Sequence, residues 1–304
     1  MRGPLYNSYS RYLRRKYGET VYRVAVDAGF SCPNRRGRAG PGCTYCAEDG
    51  ARASYLGSAA DVEEQVGRAV AFLKNRYGAL SFILYFQAFS GTNAPVRRLE
   101  SLYATALATA PFRELVVSTR PDCVDAEKAK LLCSFRTDQR DVWVELGLQS
   151  ANDTTLERIS RGHTVAQFVS AYAILKSLSL KVAVHVIFGL PGEEDADMEA
   201  TVRLVAGLDP DGVKINNLHI PHSTPLADEY RKGEVTAPGP ETHLERVIRA
   251  LEILPARCLI MRLTTDTPKD RLLAPRVFWN KQEFAARLAA AMEERRTWQG
   301  RLSP

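Results

Sequence analysis

The chain has 304 residues, 45% of them hydrophobic and 25% charged, with six cysteines and a formal charge of +6. These are the values of a globular protein with a full core, and they exclude disordered, collagen-like and coiled-coil classes. No apolar run reaches the roughly 18 residues of a membrane span, Met1 to Asn7 lack the apolar stretch of a secretory signal, and the sparse cysteines predict a reducing cytoplasm rather than a disulfide scaffold.

In chain order, the first predicted element is an N-terminal helix. Tyr6, Tyr9 and Tyr12 recur every three residues, as packing of that helix requires, and base stacking explains them less well. Strand-like runs follow at Val21–Asp27, Ser81–Phe86, Glu114–Ser118, Val142–Gln149, Lys181–Leu190 and Gly212–His219. They are short, rich in Val, Ile and Phe, and bounded by turn residues. Helical patterns lie between them. Ser58 and Asp61 have capping-box spacing before Val62, Val66, Val70 and Leu73; Thr164 and Gln167 repeat the device before Phe168, Tyr172 and Leu175; Asp195 precedes Met198, Val202 and Val205.

Six strand-then-helix units predict a parallel sheet covered by helices. Six are too few for a closed eight-stranded barrel, so the expected fold is α/β, a partial (βα)6 TIM-type barrel, with a doubly wound sheet as the alternative. Pro221, Pro225, Pro238 and Pro240, with Gly233 and Gly239, mark a boundary. The core is expected over residues 1–225. Residues 226–304 are expected to form an α/β extension packed on it, with a helix near Glu241–Leu254, a strand-like Cys258–Leu263 and a basic helix after Asn280.

Cys32, Cys43 and Cys46, spaced C-x10-C-x2-C, form the strongest motif. They fall in the loop after the first strand, where α/β proteins place chemistry. Gly37, Gly40 and Gly42 allow a tight fold-back, and Arg35, Arg36 and Arg38 favour thiolates. A structural zinc needs a fourth protein ligand, which could come only from a distant residue such as Cys123, Cys133 or Cys258. A redox CxxC pair leaves Cys32 unexplained. An iron–sulfur cluster held by three thiolates keeps one iron open, as a catalytic site requires. Cys123, Cys133 and Cys258 read as packing residues.

Charge is uneven. Residues 1–60 hold ten Lys and Arg against four Asp and Glu, and residues 261–304 nine against five. Two basic ends suggest a polyanionic partner such as RNA, although solvated ends produce the same arithmetic.

With the cysteine motif, six segments carry a resemblance: Val26 to Asn34, Tyr85 to Phe89, Ser118 to Asp122, Gly147 to Ser150, Arg161 to Thr164 and Gly189 to Glu193. In this order they resemble the radical-SAM enzymes, and more narrowly the short Elongator-like iron–sulfur oxidoreductases. The resemblance implies a 4Fe-4S cluster on Cys32, Cys43 and Cys46 at the barrel mouth, with S-adenosylmethionine (SAM) on the fourth iron. It also implies reductive cleavage of SAM to a 5′-deoxyadenosyl radical, and an electron donor such as flavodoxin or ferredoxin.

Strand alternation puts Glu145, Gly147 and Gln149 on one face, inward in this family. By resemblance, Gln149 contacts the SAM ribose, Arg161 pairs with the SAM carboxylate, Ser118 and Arg120 lie at cofactor contact, and Gly189 lets backbone approach the adenine. Gln87-Ala88-Phe89-Ser90 stands where many members carry Gly-Gly-Glu beside the SAM amino group, and Ser118 where related enzymes have Glu. His185 and His219 read as core residues. The acetyltransferase half of the Elongator subunit has no counterpart, so acetyl transfer is not implied. The kinship points to tRNA, at a wobble uridine or its side group. The alternatives are a radical-SAM enzyme of a small metabolite and a non-catalytic zinc or iron–sulfur RNA-binding module. No membrane partner is expected.

Overall fold

The computed structural model describes residues 4–35, 42–47 and 61–303. Its strands in chain order are β1 (Val21–Val26), β2 (Ser81–Phe86), β3 (Phe112–Thr119), β4 (Asp141–Gln149), β5 (Lys181–Phe188), β6 (Gly212–Asn217), β7 (Ile220–Pro221), β8 (Leu259–Arg262) and β9 (Leu272–Ala274). Strands β1 to β6, and then β8, form one all-parallel sheet in that spatial order, curled into a half-barrel. Strands β7 and β9 pair antiparallel in a separate two-stranded sheet. All six expected strands form within two residues of their expected bounds. Their near-continuous apolar runs are what burial on both faces of a parallel sheet demands.

The run at Cys258–Leu263 differs from expectation in its placement. It forms β8, a seventh strand of the main sheet, with Gly212 opposite Leu259 and Lys214 opposite Arg262. A strand pattern sets which residues alternate, not which edge they join. Here β6 offered an open edge, and α8 (Pro225–Arg231) with α9 (Pro240–Ile253) supply the crossover a parallel partner needs.

The remaining helices are α1 (Tyr9–Tyr17), α2 (Val62–Tyr77), α3 (Val96–Ala108), α4 (Ala126–Ser134), α5 (Asp153–Arg158), α6 (Val165–Ser177), α7 (Asp195–Leu208) and α10 (Lys281–Glu294). Asp61 caps α2 by accepting from Glu64 N at 2.7 Å, while Ser58 lies outside the described residues. Thr164 and Gln167 form the reciprocal box expected on α6. Asn280 caps α10 through Gln282 N and Glu283 N.

Helix α10 is not basic. It carries three Glu against Lys281 and Arg287, and the cations that suggested a basic helix follow its end. Two of those, Arg295 and Arg301, are paired with Glu245 and Glu252. Net charge over a window ignores partners brought from elsewhere in the chain.

The main core lies between the outer face of the sheet and its helices, built from residues such as Val66, Leu84, Tyr103, Leu115, Phe168, Val184 and Val247. Helix α1 plugs the lower, N-terminal end of the half-barrel. Its Tyr9 and Leu13 pack with Ile83, Trp143, Ala183 and Leu259, and Tyr9 meets Trp143 edge to face at 5.7 Å. The tyrosine repeat is thus packing, as expected. Lys16 reaches Asp141 at the start of β4, so the positive charge of α1 sits at the barrel's lower end.

Gln299 ties the plug in place. Its side chain accepts from Asn7 N at 2.8 Å and donates to Pro255 O and Cys258 O, while its backbone N donates to Leu5 O.

Candidate active site

At the upper, C-terminal end of the strands lies a cavity of about 200 Å³. Its lining includes Cys32, Cys43 and Cys46 together with Gln87, Ser118, Arg120, Gln149 and Arg161. Five of the six expected cofactor contacts and all three expected ligands therefore border one space. Gly189 does not. It lies in a different cavity of about 370 Å³, where an added Cβ would stand 2.6 Å from Pro238 Cγ. The strand-end glycine does permit close approach, but to a proline of this chain.

The cysteine loop is held by its neighbours. Arg35 is buried, and its Nη2 donates to Cys46 O at 2.9 Å and Ala47 O at 2.7 Å. Gly42 makes room for that guanidinium, since a Cβ there would fall 2.7 Å from Arg35 Nε. Asn34 Nδ2 donates to Ser160 O at 2.5 Å and lies 3.4 Å from Cys43 Sγ. Gly37, Gly40, Arg36 and Arg38 lie outside the described residues.

Arg161 is not a surface ion-pair residue. It is buried, and it donates from Nη2 to Gly147 O at 2.9 Å and from Nε to His163 Nε2 at 3.0 Å, with Nη1 3.6 Å from Cys43 Sγ. Gly147 is required for this approach, because a Cβ would lie 2.6 Å from Arg161 Nη2 and 2.7 Å from Gln149 Nε2. Burial works to raise the Cys43 thiol, but Arg161, Arg120 and the Asn34 amide outweigh it and hold the thiol below its ordinary range. Cys46, half-buried and facing Cys43, is pushed up, chiefly by desolvation and then by the neighbouring Cys43. Arg120 is clamped bidentately by Asp122 at 2.8 and 2.9 Å, and its buried Nη1 has no partner among the described residues.

Three of the six non-glycine residues with positive φ among the described residues lie at this place, the others being Ser179, Asp209 and Arg296. Phe89 (φ 58°) and Gln149 (φ 78°) line the cavity, and Ser160 (φ 51°) immediately precedes Arg161. Left-handed conformations at such residues persist only where the surroundings impose them, and they cluster at functional sites.

Below this layer stands a buried charged floor. Glu145 Oε2 accepts from Tyr85 Oη at 2.6 Å, from His185 Nε2 at 3.0 Å and from Lys214 Nζ; Arg23 lies 3.9 Å from its other oxygen. The pair pulls in two directions. Burial with Arg23 and Arg262 draws the Lys214 ammonium down, although Glu145 opposes it. Burial works to raise Glu145, but Lys214, His185 and Arg23 hold it well below the usual carboxylate range. The carboxylate direction is the firmer, because several donors and cations set it. His185, expected to be a core residue, thus borders the cavity, while Cys123 is buried outside it.

Four of the five histidines, His163, His185, His219 and His243, are pushed down to about 4, chiefly by burial. Between that value and the ordinary 6.5 the unfolded chain binds protons that the fold does not. The resulting stability is complete above about pH 6.5 and is lost as pH falls toward 4. Thermal unfolding followed from pH 7.5 to 4 is expected to show a steady fall in Tm. A flat profile over that range would mean that these rings are not buried neutral.

Residues 31–205 match the Radical SAM superfamily, and residues 210–294 the Radical_SAM C-terminal domain. The chain belongs to the radical SAM superfamily. It is similar to the Bacillus subtilis protein YtqA, at 32% identity over 97% of this chain and 92% of that one. It is also similar to the tRNA uridine(34) acetyltransferase of Methanocaldococcus jannaschii, at 32% identity over 51% of this chain and 28% of that enzyme. Its fold is similar to that of Methanocaldococcus infernus Elp3 lacking its N-terminus, with a TM-score of 0.73 and 19% identity, covering 92% of this chain and 64% of that one.

Radical SAM enzymes use a 4Fe-4S cluster and SAM, and the residues present fit both. Among the described residues no three His, Cys, Asp or Glu side chains gather around one point as a single-ion site needs. A cubane takes each thiolate at a separate corner, which suits three thiols distributed around one cavity. The orphaned, buried Nη1 of Arg120 suits a carboxylate. When bound, the cluster supplies the electron that cleaves SAM. Cys32, Cys43 and Cys46 would hold the cluster; around them Asn34 and Arg161 lie against the Cys43 sulfur, and Gly147 lets Arg161 lie against β4.

Proposed function

We propose that this radical SAM enzyme acts on RNA, at a tRNA wobble uridine or its side group. The reading rests on the kinship over 158 residues with the tRNA uridine(34) acetyltransferase of Methanocaldococcus jannaschii. The chain spans just over a quarter of that enzyme's length, so what is carried over is the substrate class and not acetyl transfer. In this reading Cys32, Cys43 and Cys46 hold the cluster, and Gln87, Ser118, Arg120, Gln149 and Arg161 surround SAM. A flavodoxin or ferredoxin in the cytoplasm supplies the electron. Among the described residues no helix is long and apolar enough to cross a membrane.

Charge supports the reading less than the sequence arithmetic suggested. Helix α1 sits at the barrel end away from the cysteines, and Arg295 and Arg301 are already paired. Those placements, with a small cavity, favour a second reading in which the substrate is a small metabolite.

Anaerobically reconstituted protein immobilised on resin separates the two. The RNA reading expects tRNA to be retained in preference to heparin and released as salt rises. It also expects tRNA to increase 5′-deoxyadenosine formed with dithionite and SAM. Equal indifference to tRNA and heparin, with cofactor cleavage intact, would remove RNA in favour of a small molecule.

A further inference from the structure

The inner face of the sheet carries a conflict that packing does not explain. His185 on β5 stands opposite Lys214 on β6, and Lys214 stands opposite Arg262 on β8. Three basic side chains therefore form a row across three adjacent strands, all bordering the cavity. Lys214 and Arg262 are the two cations of this row, and like charges directly opposite one another on a sheet face are unfavourable. Arg23, on β1, adds a further cation to the same interior.

The counter-charge does not balance them. Glu145 is the carboxylate bonded to this group, and it must serve Lys214, His185 and Tyr85 as well as face Arg23. Glu114 is engaged elsewhere, by the hydroxyls of Tyr9 and Tyr17. The cavity lining includes Arg35, Arg120, Arg161, Lys214 and Arg262 and no Asp or Glu among the described residues. Arg120 has Asp122, and Arg161 faces Cys43. Arg262 is half-buried and makes no hydrogen bond or ion pair among the described residues; the charge of Asp266 acts on it from a distance, but that carboxylate is paired with Lys281. Lys214, 1% exposed, has used two of its three donors, on Glu145 and on Tyr85 Oη at 3.1 Å. A buried surplus of cations is costly unless something pairs with it.

We infer that the row formed by Lys214 and Arg262, with His185 beside them, is a subsite for an anionic group of the substrate, a phosphate or a carboxylate. By register the row continues from Gly147 of β4, which stands opposite His185, and His185 and Lys214 reach from it to the carboxylate of Glu145, the preceding inward position of β4. The anion anchors one end of the substrate at the floor, and the rest of it rises toward the cysteine layer. Arg262 supplies a planar fork and Lys214 a point charge, and Glu145 holds Lys214 in place. The inference rests on the cavity being the substrate site proposed above, but it requires only an anion and not RNA.

The test uses the anaerobically reconstituted holoenzyme with SAM present and no reductant, so that the upper arginines are occupied. Inorganic phosphate and, separately, malonate are titrated at constant ionic strength against a sodium chloride baseline, with Tm as readout. A saturable rise with at least one anion is expected, and a response at least tenfold weaker in Lys214→Met and in Arg262→Gln. Arg262→Gln keeps the test readable should Lys214→Met fail to fold, since Arg262 anchors no ion pair among the described residues. Stronger response to phosphate assigns a phosphoryl group, and stronger response to malonate a carboxylate. No saturable rise in the wild type overturns the inference, as does a rise that survives unchanged in Arg262→Gln. An anion response without tRNA retention would remove the RNA reading and leave the subsite standing.

Discussion

Cys43→Ala is expected to reduce 5′-deoxyadenosine formation to the level of a protein-free control while the barrel stays folded. Cys43 is the cysteine whose thiol is held below its ordinary range, by Arg161, Arg120 and Asn34 acting against burial. That favours its thiolate form, the form a ligand needs. Removing it leaves two thiols for a cubane that needs three, so iron content and the visible absorbance of the reconstituted protein should fall together with cleavage. The fold should survive because Cys43 sits in the loop after β1 and belongs to none of the three apolar core clusters. Far-UV circular dichroism and thermal unfolding check that half of the statement. Retained iron and retained cleavage in the variant would mean that the cluster hangs on other residues.

Glu145→Leu is expected to be the most destabilising single change among those considered. The leucine fills similar space but strips Lys214, fully buried, of its carboxylate, and leaves Tyr85 Oη and His185 Nε2 without their acceptor. Breaking a buried pair on one side costs roughly 3–5 kcal/mol. At this chain length that corresponds to a fall in Tm of about 10 °C. Glu145→Gln, which keeps an acceptor, should cost less. The double variant Glu145→Leu/Lys214→Met should recover much of the loss, because it removes the orphaned cation as well. A single-variant cost below about 1 kcal/mol, within the range of ordinary surface changes, would show that Lys214 does not depend on Glu145.

The barrel was legible because strands buried on both faces are written as unbroken apolar runs, and helices between them announce themselves by caps such as Thr164 with Gln167. The cysteine motif was legible because its spacing is local. What escaped depends on register between distant strands. Lys214 sits between Val213 and Ile215, and nothing in that triplet tells whether the lysine faces the cavity; its partners come from β2, β4 and β8. A charged residue inside an apolar strand was nonetheless a signal, since lysine is almost never fully buried without a partner. Arg262 escaped for a related reason, because β8 read as part of an extension. Gly189 was expected to let the backbone approach the adenine; it lies in a different cavity from the cysteines, against Pro238, because a glycine does not name its neighbour. Charge counting could not see that two C-terminal cations, Arg295 and Arg301, meet Glu245 and Glu252 arriving from α9.

The clasp made by Gln299 sets an order of events for a newly made chain. Asn7 and the glutamine that receives it are 292 positions apart. Contacts at such separation form late, after the intervening strands have closed the loop entropy between them. While the chain emerges from the ribosome, Tyr9 and Leu13 have no finished floor to enter, since Leu259, one wall of it, is among the last strand residues synthesised. Helix α1, which precedes every strand it packs on, is thus among the last elements to dock. Until it does, the underside of the nascent sheet exposes Ile83 and Trp143, the surface a chaperone would be expected to cover.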